Sequence, residues 1–243
     1  MGASRRRLNA EGIRRELVVV GTSLGGIEAL TTLFGGLRPG LRATVVVVMH
    51  RGPLFDEGLL TRLVSRRSSL TVSEPADGEE IEHGRAYVAP RDQHLLIEDG
   101  LFRLHRGPRE HYARPAVDPL FRSAAAARGR AVLGILLTGG GDDGVGGLIA
   151  IRKAGGLGIA QKPGAALDPS MPCSAILRDH VDAVLSLERI GEAADSLARG
   201  EVFEIEAAEW GRRRAERGPV RPPPVSNPRL ASAAPFLRRR SGE

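Results

Sequence analysis

The sequence predicts an α/β fold: a doubly wound, mostly parallel sheet with helices on both faces and an antiparallel hairpin portion. Short β-branched runs alternate with stretches whose apolar residues recur every three to four positions, as in strands joined by crossover helices. Apolar residues make up 42% of the chain but aromatic residues only 4%, which favours a buried parallel sheet of Val, Leu, Ile and Ala. The length of 243 residues fits one such domain.

The predicted elements follow from this alternation. Six apolar runs predict the strands of the main sheet: residues 17–21, 44–50, 70–73, 131–138, 157–161 and 181–185. Three short, turn-separated segments predict an antiparallel excursion: residues 85–90, 93–98 and 101–105. Helical periodicity predicts six helices: residues 26–34, 56–65, 117–128, 144–154, 172–179 and 187–199.

The positive charge of the chain is concentrated at its two ends. The net charge is +6, but residues 1–16 carry +3 and residues 211–243 carry +7, which leaves −4 for the rest. No aromatic residues alternate with the terminal arginines to stack on bases. We therefore expect solvated ends and no nucleic-acid partner.

Composition divides the chain into a basic N-terminal extension (1–16), a folded domain (17–200) and an Arg/Pro-rich tail (201–243) that we expect to be disordered. The single cysteine, Cys173, excludes an intramolecular disulfide and a multi-cysteine zinc site. No apolar run is long enough to span a bilayer, and the N-terminus lacks the apolar core of a signal peptide. We therefore expect a cytoplasmic protein without membrane insertion.

A serine lies among glycines directly after the first predicted strand, in the stretch LVVVGTSLGG. As a dinucleotide fingerprint this stretch is poor, because Ser23 replaces the middle glycine of G-x-G-x-x-G and its Cβ would crowd a pyrophosphate. As G-x-S-x-G, residues 21–25 form a strand-to-helix turn that exposes the Ser23 hydroxyl. Alone, the motif leaves a nucleophile and a structural turn equally open.

Two further strand ends carry side chains suited to hydrolysis. His50 ends the run VVVVMH, and Asp142 and Asp143 follow ILLTGGG. His50 is either a general base close to Ser23 or a capping or solvent-facing histidine. One of the aspartates either accepts a hydrogen bond from the histidine or caps the following helix. Because reacting groups gather at the carboxyl ends of parallel strands, the three ends together favour a nucleophile, a base and an acid.

Several sequence blocks occur in an order and spacing that identify a family resemblance. They are GTSLGG, VVVVMHRGP, EHGRAYVAPRDQHLLI, RPAVDPLF, GILLTGGGDDGVGGL, and IAQKPGAA followed by MPCSAI. Over residues 17–195 they resemble the catalytic domain of the chemotaxis protein-glutamate methylesterase family. The resemblance implies a doubly wound, largely parallel sheet, hydrolysis of γ-glutamyl methyl esters on bacterial chemoreceptors with release of methanol, and related glutamine deamidation.

The resemblance also implies roles for individual residues. Ser23 matches the nucleophile, His50 the general base and Asp143 the orienting acid, whereas Asp142 matches a variable neighbour.

Three further positions are implied in binding. The backbone N–H groups of Leu24 and Gly140 match the oxyanion hole, and Gly140 stands where the family usually has Met. Arg114 is a candidate for orienting an acidic receptor segment, with a structural ion pair, for example to Asp118, as the alternative.

The resemblance implies no cofactor, since acyl transfer through serine requires neither a metal nor a nucleotide. The implied partner is a methylated chemoreceptor or a similar methylated protein. Only sixteen residues precede the first predicted strand, so we expect no receiver domain in this chain, and control either by a separate regulatory protein or not at all. The expected lack of a receiver domain and the glycine at position 140 are the reasons to consider an alternative function, a non-catalytic regulatory or binding module of the same fold.

Overall fold

The computed structural model describes residues 5–52, 58–178 and 181–209. The strands in these ranges are β1 (Arg5–Leu8), β2 (Leu17–Thr22), β3 (Thr44–Met49), β4 (Thr71–Ser73), β5 (Arg85–Val88), β6 (His94–Glu98), β7 (Leu101–His105), β8 (Val132–Leu136), β9 (Leu157–Gln161), β10 (Ala183–Leu185) and β11 (Phe203–Glu206). The α-helices are α1 (Gly26–Gly35), α2 (Leu59–Ser65), α3 (Val117–Arg128), α4 (Val145–Lys153), α5 (Ser170–Leu177) and α6 (Leu187–Ala198).

Seven parallel strands form the central sheet, in the order β10-β9-β8-β2-β3-β5-β4. The chain winds from β2 towards one edge and later returns to β8 on the other side of β2, so the direction of winding reverses there. The carboxyl ends of β2, β3 and β8 therefore lie next to one another, at the kind of switch point where doubly wound sheets bind ligands. The predicted fold class is confirmed.

Two central strands, β2 and β3, are buried on both faces along their whole length. Alternate side chains point to opposite faces. Val18 and Val20 pack in the core that includes α1, α2 and α6, whereas Leu17 and Val19 pack in the core that includes α3, α4 and α5. Full burial of such a side chain contributes about 1.5–3 kcal/mol, which is why the continuous apolar runs occupy the centre of the sheet.

The antiparallel portion is smaller than the sequence predicts. β6 and β7 form the expected antiparallel hairpin. The segment predicted at residues 85–90 does not join it, because β5 pairs in parallel with β3 and β4 inside the central sheet. Ala86, Tyr87 and Val88 are fully buried there, as expected for a strand covered on both faces.

A second antiparallel pair, between β1 and β11, joins two segments that the sequence places outside the folded domain of residues 17–200. Leu8, Phe203 and Ile205 are buried in the core that includes α6, so both ends of the domain extend further than expected. The predicted tail from residue 210 onwards lies outside the described residues.

The remaining predicted helices and strands agree with the observed bounds to within two residues, apart from residues 56, 57 and 179, which lie outside the described ranges. Among the helices that the structure describes, none is long and apolar enough to cross a membrane.

Candidate active site

The turn between β2 and α1 carries Ser23 at the carboxyl edge of the sheet. The Ser23 N–H donates to the Thr138 carbonyl, and the Gly26 N–H donates to the Ser23 carbonyl, both at 2.9 Å. Gly25 has a φ of +82°, a left-handed conformation that favours glycine and turns the chain sharply into the helix. Ser23 stays partly exposed in this turn.

The loop after β8 packs directly against the serine. A Cβ on Gly139 would lie 2.7 Å from the Ser23 Cβ and 2.3 Å from the Met171 Sδ, so a larger residue does not fit without a shift. The Gly139 N–H donates to the Asp168 carbonyl at 2.9 Å, and the Gly139 carbonyl accepts from the Met171 N–H at 2.8 Å. These bonds tie the loop to residues 168–171, and the Ser23 N–H bond to the Thr138 carbonyl ties it to the serine turn.

Two buried polar side chains that the sequence did not indicate support this arrangement. The Thr138 hydroxyl donates to the Leu24 carbonyl at 2.9 Å, and the Thr138 N–H donates to the Gln161 side-chain oxygen at 2.8 Å. Thr138 is 2% exposed and Gln161 is 1% exposed. A polar residue at the end of an apolar strand is the signal that could have identified them, because a buried polar group needs a partner.

His50 follows β3 and contacts Asp143, with 2.7 Å between its Nε2 and the Asp143 Oδ2. The His50 side chain is 18% exposed, whereas that of Asp143 is 1% exposed. A neutral imidazole that donates from Nε2–H to a carboxylate keeps Nδ1 unprotonated. The contact therefore leaves Nδ1 as the atom that can accept a proton.

The Asp143 carboxylate also lies at the N-terminus of α3. It accepts hydrogen bonds from the Val117 N–H at 2.7 Å and the Asp118 N–H at 2.9 Å. Burial raises the pKa of Asp143, but the hydrogen bonds from His50 and the two amides outweigh burial, so the pKa lies below its ordinary value. The carboxylate is therefore charged at neutral pH.

Asp143 does not cap the helix that follows it, which was the alternative interpretation. The N-cap of α4 is Gly144, with a φ of +91° and no side-chain hydrogen bond. The aspartate instead caps α3, a helix earlier in the chain.

Ser23 and His50 line a single cleft of about 640 Å³, whose wall includes the apolar side chains of Leu24, Ile27 and Met49. The Ser23 hydroxyl and the His50 Nδ1 form no hydrogen bond with each other or with other parts of the chain that the structure describes. In unliganded sites such a catalytic hydrogen bond is often long and tightens only when substrate is bound.

Two backbone amides beside the serine have no acceptor. Within residues 5–52, 58–178 and 181–209, neither the Leu24 N–H nor the Gly140 N–H donates a hydrogen bond. A Cβ on Gly140 would lie 3.1 Å from the Asp168 Oδ2, so a side chain at position 140 would crowd this carboxylate. Both amides are therefore unpaired within these ranges.

Arg114 has structural partners. Its guanidinium donates to Asp92 Oδ1 at 3.0 and 2.7 Å and to the Gly107 carbonyl at 2.7 Å. The alternative ion pair with Asp118 is not formed between these two described residues, and the Asp118 Oδ1 accepts instead from the Gly147 N–H at 2.7 Å.

Asp142 is separated from the His50 contact. Its side chain is 44% exposed and lies 3.3 Å from Arg178 and 3.1 Å from the Nδ1 of His111. Of the two adjacent aspartates, only Asp143 contacts His50.

One group of described side chains has the donor composition of a metal site: His111, Asp118 and Asp143, whose ligand atoms lie within 4.8 Å of one another. These carboxylates already accept hydrogen bonds from His50 and from three backbone amides. We therefore interpret the group as a hydrogen-bond network. His111 lies in a loop, without ligand spacing to other histidines, and the sequence did not indicate it.

Known proteins are similar to this chain in sequence and in fold. Residues 18–194 match the family described as CheB methylesterase. A Leptospira interrogans protein, provisionally named a protein-glutamate methylesterase/protein-glutamine glutaminase, is 39% identical over 178 residues, 73% of this chain and 92% of that protein. A crystal structure of the Thermotoga maritima CheB methylesterase catalytic domain matches with a TM-score of 0.72 and 33% identity, covering 76% of this chain and all of that one.

Other relatives are longer than the matched region. A protein-glutamate methylesterase/protein-glutamine glutaminase of Anaeromyxobacter dehalogenans is 40% identical over 190 residues, which are 78% of this chain but 55% of the relative. One of Pyrococcus abyssi is 36% identical over 182 residues, 73% of this chain and 49% of the relative. The match with the family spans the central sheet except for Leu17, together with the strand ends that carry Ser23, His50 and Asp143. By sequence and by fold, this chain belongs to the CheB methylesterase family.

Proposed function

We propose that this protein is a carboxylic ester hydrolase that removes methyl esters from glutamyl side chains of other proteins, with Ser23 as nucleophile. The observation that carries the proposal is the His50–Asp143 contact, formed at the edge of a cleft that also contains Ser23. The names of the relatives support the same activity.

In the proposed mechanism, the Nδ1 of His50 accepts the proton of the Ser23 hydroxyl as its oxygen attacks the ester carbonyl. Asp143 holds the imidazole by its Nε2–H and stabilises the imidazolium that forms. The Leu24 and Gly140 N–H groups donate to the developing oxyanion. Methanol leaves with the proton returned from Nδ1.

Water then repeats the same steps on the acyl-enzyme. His50 takes a proton from the water, the hydroxide attacks the glutamyl carbonyl, and Ser23 leaves as the hydroxyl, which yields a glutamate carboxylate. With a glutamine side chain the first leaving group is ammonia, so the same residues support the glutaminase activity in the relatives' names.

The proposed substrate is a methylated chemoreceptor or a similar methylated protein. The apolar wall of Leu24, Ile27 and Met49 suits the methylene groups of a glutamyl side chain, and Leu24 is 57% exposed at its mouth. Arg114 stays a candidate for orienting an acidic receptor segment, with its guanidinium held by Asp92 and the Gly107 carbonyl. A cytoplasmic location, and control by a separate regulatory protein, belong to the proposal.

The proposal is tested by methanol release from a methylated chemoreceptor together with labelling by a fluorophosphonate probe. We expect the wild-type protein to release methanol and to be labelled at Ser23, and Ser23→Ala to lose both. Ser65→Ala, an exposed serine on α2, is the matched control and keeps both. Methanol release by Ser23→Ala at the wild-type rate contradicts the proposed mechanism.

The alternative, a non-catalytic binding module of the same fold, gives a different result in the same experiment. It predicts that the wild-type protein releases no methanol from any methylated receptor while it still binds a protein partner.

A further inference from the structure

Asp143 has a second buried carboxylate beside it. Asp118, on the first turn of α3, is 4% exposed, and its Oδ1 accepts from the Gly147 N–H at 2.7 Å. Burial raises the pKa of Asp118, and the negative charge of Asp143 raises it further. Two carboxylates buried side by side require a proton or a nearby cation to balance them.

His111 lies between these two carboxylates. Its Nε2 is 3.1 Å from the Asp118 Oδ2 and 4.0 Å from the Asp143 Oδ1, and its Nδ1 is 3.1 Å from the Asp142 Oδ1. Both ring nitrogens thus face carboxylate oxygens, which only the protonated imidazole satisfies with two donors.

The charges around His111 favour its protonated form. Burial lowers the pKa of His111, but the negative charges of Asp143, Asp118 and Asp142 outweigh burial, so the pKa lies above its ordinary value. His111 therefore carries a positive charge over a wider range of pH than an isolated histidine.

The neighbouring arginines do not supply the positive charge that balances the two buried carboxylates. The Arg122 Nη1 is 3.9 Å from the Asp118 Oδ2, but Arg122 is 46% exposed and lies 2.8 Å from the Glu110 carboxylate. Among the side chains that the structure describes, the Arg178 guanidinium pairs with the exposed Asp142, and Arg178 is itself 58% exposed.

The backbone at His111 is in an uncommon conformation. The φ angles of His111 and Tyr112 are +49° and +61°, in the left-handed region, which is unfavourable for a residue with a Cβ. Reciprocal hydrogen bonds between Glu110 and Ala113 close the turn around them, at 3.2 and 2.8 Å. Tyr112 is 98% exposed and contributes no burial that would offset this cost, whereas His111 contacts Asp118 and Asp142.

We propose that His111, in its protonated form, is a positioning residue of the triad that balances the buried Asp118–Asp143 pair and sets how strongly Asp143 stabilises the His50 imidazolium. Without this positive charge, the net negative charge next to His50 increases. His50 then holds its proton to a higher pH and acts as a base over a narrower range. The inference rests on the proposed function of Ser23, His50 and Asp143.

The test compares the pH dependence of kcat/KM for three variants. His111→Asn removes the charge but suits the left-handed backbone, because Asn tolerates a positive φ. We expect the acidic limb of its profile to move upwards by about half a pH unit or more, the effect of one charge at an intermediate effective dielectric, with KM near that of the wild type. His111→Lys, which keeps a positive charge, restores the limb towards its wild-type position. His83→Asn, an exposed histidine ahead of β5, is the matched control and leaves the profile unchanged.

The NMR titration of the His50 ring in the same variants provides a second readout that needs no substrate. We expect its midpoint to rise in His111→Asn and to stay at the wild-type value in His83→Asn. The inference is overturned if a folded His111→Asn protein shifts neither the acidic limb of the kcat/KM profile nor the midpoint of the His50 titration. It is also overturned if kcat falls while the acidic limb stays in place, because His111 is then only structural. A limb that moves on addition of a chelator to the wild-type protein also overturns it, because the cluster then holds a metal ion.

The two readouts separate the inference from the function on which it rests. A shift of the His50 titration in a protein that releases no methanol supports the positioning role and contradicts the proposed activity. Normal methanol release with unmoved titrations supports the activity and contradicts the positioning role.

Discussion

Asp143 combines two structural tasks in one carboxylate. It accepts two hydrogen bonds from the first amides of α3 and one from His50. A charged acceptor at a helix N-terminus is stabilised by the helix dipole as well as by the hydrogen bonds. The position of α3 and the orientation of the imidazole are therefore tied to the same side chain.

Replacement of this carboxylate by an amide removes the charge with little change of volume. In Asp143→Asn we expect kcat to fall by about 10⁴-fold, with a smaller change in KM, because an amide neither stabilises the imidazolium nor fixes the tautomer. The measurement is the rate of methanol release under saturating substrate. Asp142→Asn, which does not contact His50, is the control, and a loss of similar size there contradicts the assignment of Asp143.

The same variant tests the pH dependence of stability. Because the folded-state pKa of Asp143 is lowered, its carboxylate stabilises the folded state above the unfolded-state value of about 4 and loses this effect as the pH falls through the folded-state pKa. The difference in the free energy of unfolding between the wild type and Asp143→Asn is thus expected to be largest near pH 7 and to shrink below about pH 4. Urea denaturation at pH 7 and pH 3 measures this difference in the free energy of unfolding. A difference that grows on acidification contradicts a lowered pKa of Asp143 in the folded state.

Loop packing at the ends of the strands determines where the serine hydroxyl lies. Ser23 and Gly139 belong to turns after two neighbouring strands, β2 and β8, and the absence of a Cβ at Gly139 lets the turns touch. In Gly139→Ala we expect kcat to fall by about 10²-fold, because the added methyl displaces the nucleophile by a fraction of an ångström or more. Gly164→Ala is the control, since a Cβ at Gly164 meets nothing within 4 Å. If Gly139→Ala and Gly164→Ala have the same kcat, the close approach of Gly139 to Ser23 does not position the serine.

The sequence predicts where strands and helices lie better than it predicts which strands pair with each other. The apolar run of β5 was recognised as a strand, but its parallel pairing with β3 and β4 depends on contacts remote in sequence. The sequence pattern does not indicate β1, because three arginines precede Leu8, the one buried residue of that strand.

For the whole molecule, the order of the strands is what assembles the site. Ser23, His50 and Asp143 are candidates in the sequence because each follows an apolar run. Their proximity required β3 and β8 to flank β2, and the contact between His50 and Asp143 spans 93 residues. His111 and Asp118 give no such local signal, because their importance arises only when His111 contacts Asp118 on α3 and α3 packs against α4.

The β1–β11 pair contributes none of the residues that line the cleft of Ser23 and His50, so we expect it to affect stability without affecting catalysis. Leu8 is 3% exposed and lies in the core with Ile205, whereas the side chain of Arg7, on the same strand, is 69% exposed. We expect Leu8→Ala to lower the free energy of unfolding by about 2–3 kcal/mol through the lost burial and the cavity that remains. Arg7→Ala, which removes an exposed ion pair with Glu204, is expected to change the free energy of unfolding by less than about 1 kcal/mol.

Urea denaturation gives both values, and methanol release at 25 °C should be the same for the two variants as for the wild type. If Leu8→Ala is no less stable than Arg7→Ala, the N-terminal segment is not part of the folded domain, and the boundary at residue 17 predicted from composition is the correct one.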